Sequence, residues 1–115
     1  MNYNIQKDQS LLIKNENQIR QVYIENICYI RCDGYLSFIY LSDGLFITCS
    51  KLLREFEEKL SDFSFIRINH NTFINCKYFN CIEHEGKKRT MLLVDGSKFQ
   101  VSRRKWYKVK EKLEP

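Results

Sequence analysis

The chain has 115 residues, 43% apolar and 29% charged, with a formal net charge of +5. Those proportions exclude a disordered polymer and suit one soluble domain with a single modest core. No apolar run approaches the ~20 residues of a membrane span, and Met1-Asn2-Tyr3-Asn4 lacks the basic and hydrophobic blocks of a secretion signal, so a cytoplasmic location is the expectation.

Residues 1–9 read as a loose lead-in, and residues 10–115 as one domain. Short strand-like runs then follow one another. Ser10-Leu11-Leu12-Ile13 and Ile19-Arg20-Gln21-Val22-Tyr23 flank Asn15-Glu16-Asn17, which predicts a hairpin. Ile24-Glu25-Asn26-Ile27 predicts one helical turn before the strand Cys28–Cys32. Asp33-Gly34 breaks the chain, Tyr35–Leu41 is strongly β-prone, and Asp43-Gly44 leads to Phe46-Ile47-Thr48. Asp-Gly between two such runs suits a tight hairpin, because Gly tolerates the positive φ the turn requires.

Ser50 is the predicted N-cap of a helix over Lys51–Leu60, with Leu52, Leu53, Phe56 and Leu60 on one face and Glu55 paired with Lys59. Phe65–Ile68, Phe73–Ile74 and Tyr78–Ile82 are further strands. Thr90–Val94, Asp95-Gly96 and Phe99–Ser102 then echo the earlier Asp-Gly hairpin, and both second strands end in Ser before a helical pattern. The echo supports two hairpins without establishing a duplication. The last helix spans about Arg104–Lys112, capped by Ser102, with Trp106, Val109 and Leu113 inward. The fold expectation is a mostly β protein, antiparallel, with two short helices.

Charge is unevenly spread. Residues 86–112 hold ten Lys or Arg against Asp95 and Glu111, a net +8, which leaves −3 on the remainder. A basic C-terminal part on a mildly acidic body suggests a polyanion partner. The five cysteines (Cys28, Cys32, Cys49, Cys76, Cys81) lack any C-x-x-C spacing, and His70 and His84 have no paired spacing with them. Neither a metal nor a cofactor is expected. In apolar runs a reduced thiol behaves as a small hydrophobe.

Three polar clusters interrupt the β pattern: Asp33-Gly34-Tyr35, Asn69-His70-Asn71-Thr72 and Ser102-Arg103-Arg104-Lys105. Asn can bond an adenine edge bidentately and Arg a guanine edge, while Lys and hydroxyls suit phosphates. The final helix offers free N–H groups to an anion at its start. Each cluster also has a plain reading: a turn at Asp33-Gly34, Asn side chains satisfying backbone groups, and a charged helix entrance at Arg103-Arg104.

Together these motifs resemble the LytTR type of DNA-binding domain, found in LytR/AgrA-like response-regulator output modules. Ile24–Arg31 with Asp33-Gly34-Tyr35 is similar to that family's "I-x-x-I-x-Y-I" strand and turn. Ser50–Leu60 is similar to its "S-x-L-x-x-L-E-x-x-L" helix. Phe65–Asn75 resembles "F-x-R-x-H-[R/N]-S-x-x-V-N", with one extra residue before His70 and Thr72 in place of Ser. Asp95-Gly96 and Val101-Ser102-Arg103-Arg104 resemble its "D-G…V-S-R-R" ending. The ordered match covers roughly residues 10–113.

The resemblance implies an elongated antiparallel β assembly whose inter-strand loops enter successive major grooves. It places Tyr35 and Leu36 in a first DNA-contacting loop and His70 and Asn71 in a second, Asn71 being the favoured base contact. Arg104, with Arg103 its competitor, falls in a third loop, beside Lys105. Lys77, Lys105 and Lys108 are candidates for the DNA backbone. Leu36 brings no hydrogen bond, and Asn71 stands where many relatives have Arg. The implied function is sequence-specific binding of promoter duplex DNA by a transcriptional regulator of a two-component system, as a dimer on DNA. A receiver domain or sensor kinase would lie outside this chain. The alternative is a single-stranded nucleic-acid (RNA) binding β module stacking bases on Tyr and Phe. Catalysis is not expected: a Cys76–His70 nucleophile and base pair is conceivable, but no nucleophile motif, phosphate loop or carboxylate pair accompanies it.

Overall fold

The computed structural model describes residues 9–114, and of the expected lead-in only Gln9 falls within that range, its carbonyl accepting the Ile24 N–H at 3.2 Å. Ten strands and two helices follow in order: β1 Ser10–Asn15, β2 Gln18–Tyr23, β3 Ile27–Asp33, β4 Leu36–Leu41, β5 Phe46–Cys49, α1 Leu53–Lys59, β6 Phe65–Asn69, β7 Thr72–Asn75, β8 Phe79–Glu85, β9 Lys88–Leu93, β10 Lys98–Val101 and α2 Arg103–Leu113. Single 3-10 turns at Ile24–Asn26 and Cys76–Tyr78 precede β3 and β8. The mostly β, all-antiparallel expectation holds, and the extents are 45 × 37 × 24 Å.

Three sheets are stacked. The middle one has the order β5-β4-β3-β7-β6, flanked by the β1-β2 hairpin and the β10-β9-β8 meander. Alternation along the middle strands sends successive side chains to opposite faces. Ile30, Ile39, Ile47 and Phe73 meet Ile13 and Val22 of the β1-β2 hairpin and Leu53 and Phe56 of α1 in one core. Tyr29, Ile68 and Ile74 meet Met91, Leu93, Val101 and Val109 of α2 in the other. The centres of both cores are closed to solvent, Ile30, Ile39, Ile68, Ile74, Met91 and Val109 being sealed completely.

The Asp-Gly echo proves structural. β3, β4 and β5 recur as β8, β9 and β10, each 52 positions later, and so does the 3-10 turn. Even the irregularity recurs: the register shifts between Ile27 and Tyr29 in one meander and between Phe79 and Cys81 in the other. In the turns, Asp43 Oδ1 accepts the Leu45 N–H and Asp95 Oδ1 the Ser97 N–H, both at 2.9 Å. Gly44 and Gly96 both hold φ of 90°, a value side chains resist. Each half is thus a hairpin, a 3-10 turn, a three-stranded meander and a helix.

The helices depart from expectation at one point. Ser102 Oγ accepts the Lys105 N–H at 3.2 Å and caps α2 as predicted. Ser50 caps no helix among the described residues: residues 50–52 lie outside α1, Leu52 being extended, and the Lys51 carbonyl accepts the buried Ser37 hydroxyl at 2.6 Å. Leu52 takes the cap position, where it has no polar side chain to offer. Glu55 compensates by turning back to accept the Leu52 N–H at 2.6 Å, so it does not pair with Lys59.

Candidate nucleic-acid interface

The three polar clusters, far apart in sequence, meet at one end of the molecule. β3 and β7 are neighbours in the middle sheet, and beyond their last paired residues the Cys32 N–H donates to the Asn71 carbonyl at 3.0 Å. This fixes the Gly34-Tyr35 turn beside the His70-Asn71 turn. On the other side the Ser102 N–H donates to the Ile68 carbonyl at 2.9 Å, and Asn69 Nδ2 to the Gln100 carbonyl at 2.7 Å. The start of α2 is therefore strapped to the same turn.

The His70-Asn71 turn is built rather than loose. Asn69 Oδ1 accepts the Asn71 N–H at 3.0 Å, so Asn69 serves the backbone, as its plain reading had it. Arg67 braces the turn from behind. Its guanidinium donates to the Asn69 carbonyl at 3.3 Å and to the His70 carbonyl, and it pairs with Glu57 of α1 at 2.7 Å. Asn71 Oδ1 accepts the Thr72 hydroxyl at 3.0 Å, which orients the amide and leaves its NH2 group unused among the described residues. His70 is exposed, Asn71 half-buried.

At the first turn Tyr35 is 88% exposed and Leu36 46%, large apolar surfaces presented to solvent. At the third, Arg103 and Arg104 are exposed and Lys105 is half-buried. Lys105 and Lys108 line a shallow cleft with Glu57 and Arg67. A fourth turn joins the same end. Arg89 pairs with Val101, and since β9 runs antiparallel to β10, Lys88 and Lys87 project beyond Val101 alongside the start of α2. Sequence reasoning counted these lysines in the basic segment but had no signal placing their turn here. Nor did it signal Arg67, whose partner Glu57 lies on a different element.

Lys77 does not join the others. It sits in the 3-10 turn after β7, and the Asn75 amide beside it donates to the Ile27 carbonyl at the opposite end of β3. The length of β3 separates it from the clustered turns, roughly 20 Å at 3.3 Å per residue. Cys76 is parted from His70 by β7 in the same way, and burial pushes its thiol up from the ordinary value, the reverse of an activated nucleophile. Burial likewise pushes Cys28 up to about 11, with Asp95 and Asp43 adding to the effect. Among the described residues no group of His, Cys, Asp and Glu could hold a metal, and no helix is long and apolar enough to cross a membrane.

Residues 17–114 match the LytTr DNA-binding domain family. The chain belongs to it. Among solved structures, a LytTr DNA-binding domain of a methyl-accepting/DNA response regulator from Bacillus cereus has a similar fold. The TM-score is 0.80 at 18% identity, over 93% of this chain and 98% of that one. Comparison with curated proteins returned no match. In this LytTr domain three of the four clustered turns are the ones that the motif resemblance singled out.

Proposed function

We propose that this LytTr domain reads duplex DNA sequence-specifically, as the output module of a transcriptional regulator in a two-component system. One observation carries the reading: three turns distant in sequence are tied into a single basic edge by backbone bonds. Such an edge has the donors that groove recognition needs, held without a recognition helix.

Asn71 is the base-reading side chain of the middle turn, its oriented amide suited to the N6 and N7 edge of adenine. Arg104, with Arg103 beside it, reads guanine from the start of α2. His70 flanks Asn71, while Tyr35 and Leu36 press on sugar or a thymine methyl. Lys105, Lys108, Lys87 and Lys88 contact phosphates, which fix register and make affinity fall with salt. The domain acts as a dimer on paired sites, receives its signal from a receiver domain or sensor kinase outside these residues, and works in the cytoplasm without catalysis.

Selection of bound duplexes from a random library tests this. Asn71→Ala and Arg104→Ala should each lose about 1–3 kcal/mol on the selected duplex and relax discrimination at one base pair. Equal losses on random duplex would reassign both residues to phosphate contact. Single strands that displace the duplex efficiently would overturn the reading in favour of single-stranded binding, for which exposed Tyr35 is the stacking platform.

A further inference from the structure

The two halves of the chain are joined by a rule that the chain itself does not exhaust. The β6-β7 hairpin of the second half covers the first half: β7 pairs with β3, and Phe65 and Phe73 close the core over Ile30, Leu53, Phe56 and Leu60. The second half has the same framework with no strand in that position among the described residues. Leu53, Phe56 and Leu60 of the first helix correspond to Trp106, Val109 and Leu113 of the last. The first three are all buried; of the second three only Val109 is, while Trp106 and Leu113 remain half-exposed. Ile82, the counterpart of fully buried Ile30, is half-exposed too.

The uncovered region is an open groove of about 630 Å³ lined by Phe79, Ile82, His84, Arg89, Trp106 and Leu113. Within it Arg89 packs its guanidinium over the Trp106 ring at 4.7 Å, and its buried Nε has no partner among the described residues. Beside the groove runs β8, whose only ladder among the described residues is with β9. The first half meanwhile carries the counterpart of the missing hairpin. β1-β2 seals its own core with Ile13 and Val22 but turns Leu12, 64% exposed, Ile19, 68%, and Tyr23, 38%, to solvent. Among the described residues β2 likewise has a ladder only with β1.

We propose that the β1-β2 hairpin of one molecule docks on the β8 edge and groove of a second copy, repeating between molecules the junction made within one. The internal register fixes the pairing. Tyr29 faces Ile74, Ile30 faces Phe73 and Arg31 faces Thr72 across β3 and β7. Carried 52 positions along the repeat, Cys81 faces Val22, Ile82 faces Gln21 and Glu83 faces Arg20. The last of these sets opposite charges directly across the new ladder, where like charges would oppose it. Leu12, Gln21 and Tyr23 share the hairpin face that covers the groove, so Leu12 and Tyr23 meet the half-exposed Ile82, Trp106 and Leu113. Two bare strand edges become paired, which removes the liability each carries alone. The contact is head-to-tail, not two-fold: the patch given and the patch received differ, so copies add in a row.

Sedimentation of the full chain over a rising concentration series, without DNA, tests the proposal independently of the reading of the basic edge. The wild type should form species that grow past a dimer. Arg20→Glu alone and Glu83→Arg alone should each weaken association at least about tenfold, as expected for like charges facing across a ladder. Mixed one to one, the two variants should recover growth past a dimer, because both junctions between unlike variants then set opposite charges across the ladder while each variant alone has only like charges there. Circular dichroism checks that each variant stays folded; if either does not, Leu12→Ser on the exposed hairpin face should weaken association in its place. A wild type that stays monomeric to millimolar concentration, or stops at a dimer, overturns the proposal, as do charge-reversed variants that associate like the wild type.

Discussion

Residues 10–59 and 65–113 run through the same elements, yet the first set is enclosed and the second left partly open. The first meander is sealed by α1, by β1-β2 and by the hairpin lent from the second half; among the described residues the second has only α2 and β6-β7. Their turns at the clustered end differ as well. Gly34 and Gly86 both adopt φ of 62°, but the first turn offers Tyr35 and Leu36, the second Lys87 and Lys88. Backbone geometry is thus shared while surface chemistry is not. The framework depends on where Gly, Asp and alternating apolar residues fall, and the intervening positions are at liberty to take up different tasks.

Matched substitutions in the two halves sharpen this contrast. Ile30→Ala in the enclosed half should cost about 2–5 kcal/mol in urea unfolding, and Ile82→Ala about 1 kcal/mol, since a half-exposed side chain leaves little cavity. Equal costs would show that the second half is covered in solution as fully as the first. At the clustered end, Lys87→Ala with Lys88→Ala should lower the slope of log affinity against log salt by about 2 on any duplex, whereas Tyr35→Ala should leave the slope unchanged.

The serines that close the two meanders give a smaller effect. Ser102→Ala should cost about 1 kcal/mol through loss of the α2 cap, while Ser50→Ala, which bonds no helix N–H, should change stability by less than about 0.5 kcal/mol. Last comes alkaline pH. Cys28 ionises near 11 in the folded chain, against 9.0 for an unperturbed thiol. Between those values the unfolded chain has given up a proton that the folded chain keeps, so stability falls as pH rises from about 9 to about 11. Cys28→Ala should flatten part of that decline, read by urea unfolding at a series of pH values.

Much of the site was legible in the residues, and its failures are instructive. The turns at Asp33-Gly34, His70-Asn71 and Ser102-Arg103 were readable because polar residues interrupt alternation there. Lys77 was a candidate for the DNA backbone beside Lys105 and Lys108, yet β7 carries it to the opposite end, since a strand moves its two termini apart. Ser50 looked like a cap because the helical pattern begins beside it. The Ser37 hydroxyl, bonded to the Lys51 carbonyl, helps to hold that segment out of the helix, and no local pattern encodes such a contact.

What the sequence determined by itself was local: strand alternation, the positive-φ turns at Gly44 and Gly96, the Ser102 cap and the family motifs, each set by neighbours a few residues apart. Tertiary structure alone decided which turns share an end, that Arg67 and Glu57 brace the His70-Asn71 turn, and that one half is covered while the other is not. Those outcomes depend on strands pairing across forty or more residues, as β3 does with β7. Backbone hydrogen bonds between strands are nearly indifferent to side-chain identity, so the sequence marks the strands more plainly than it marks their partners.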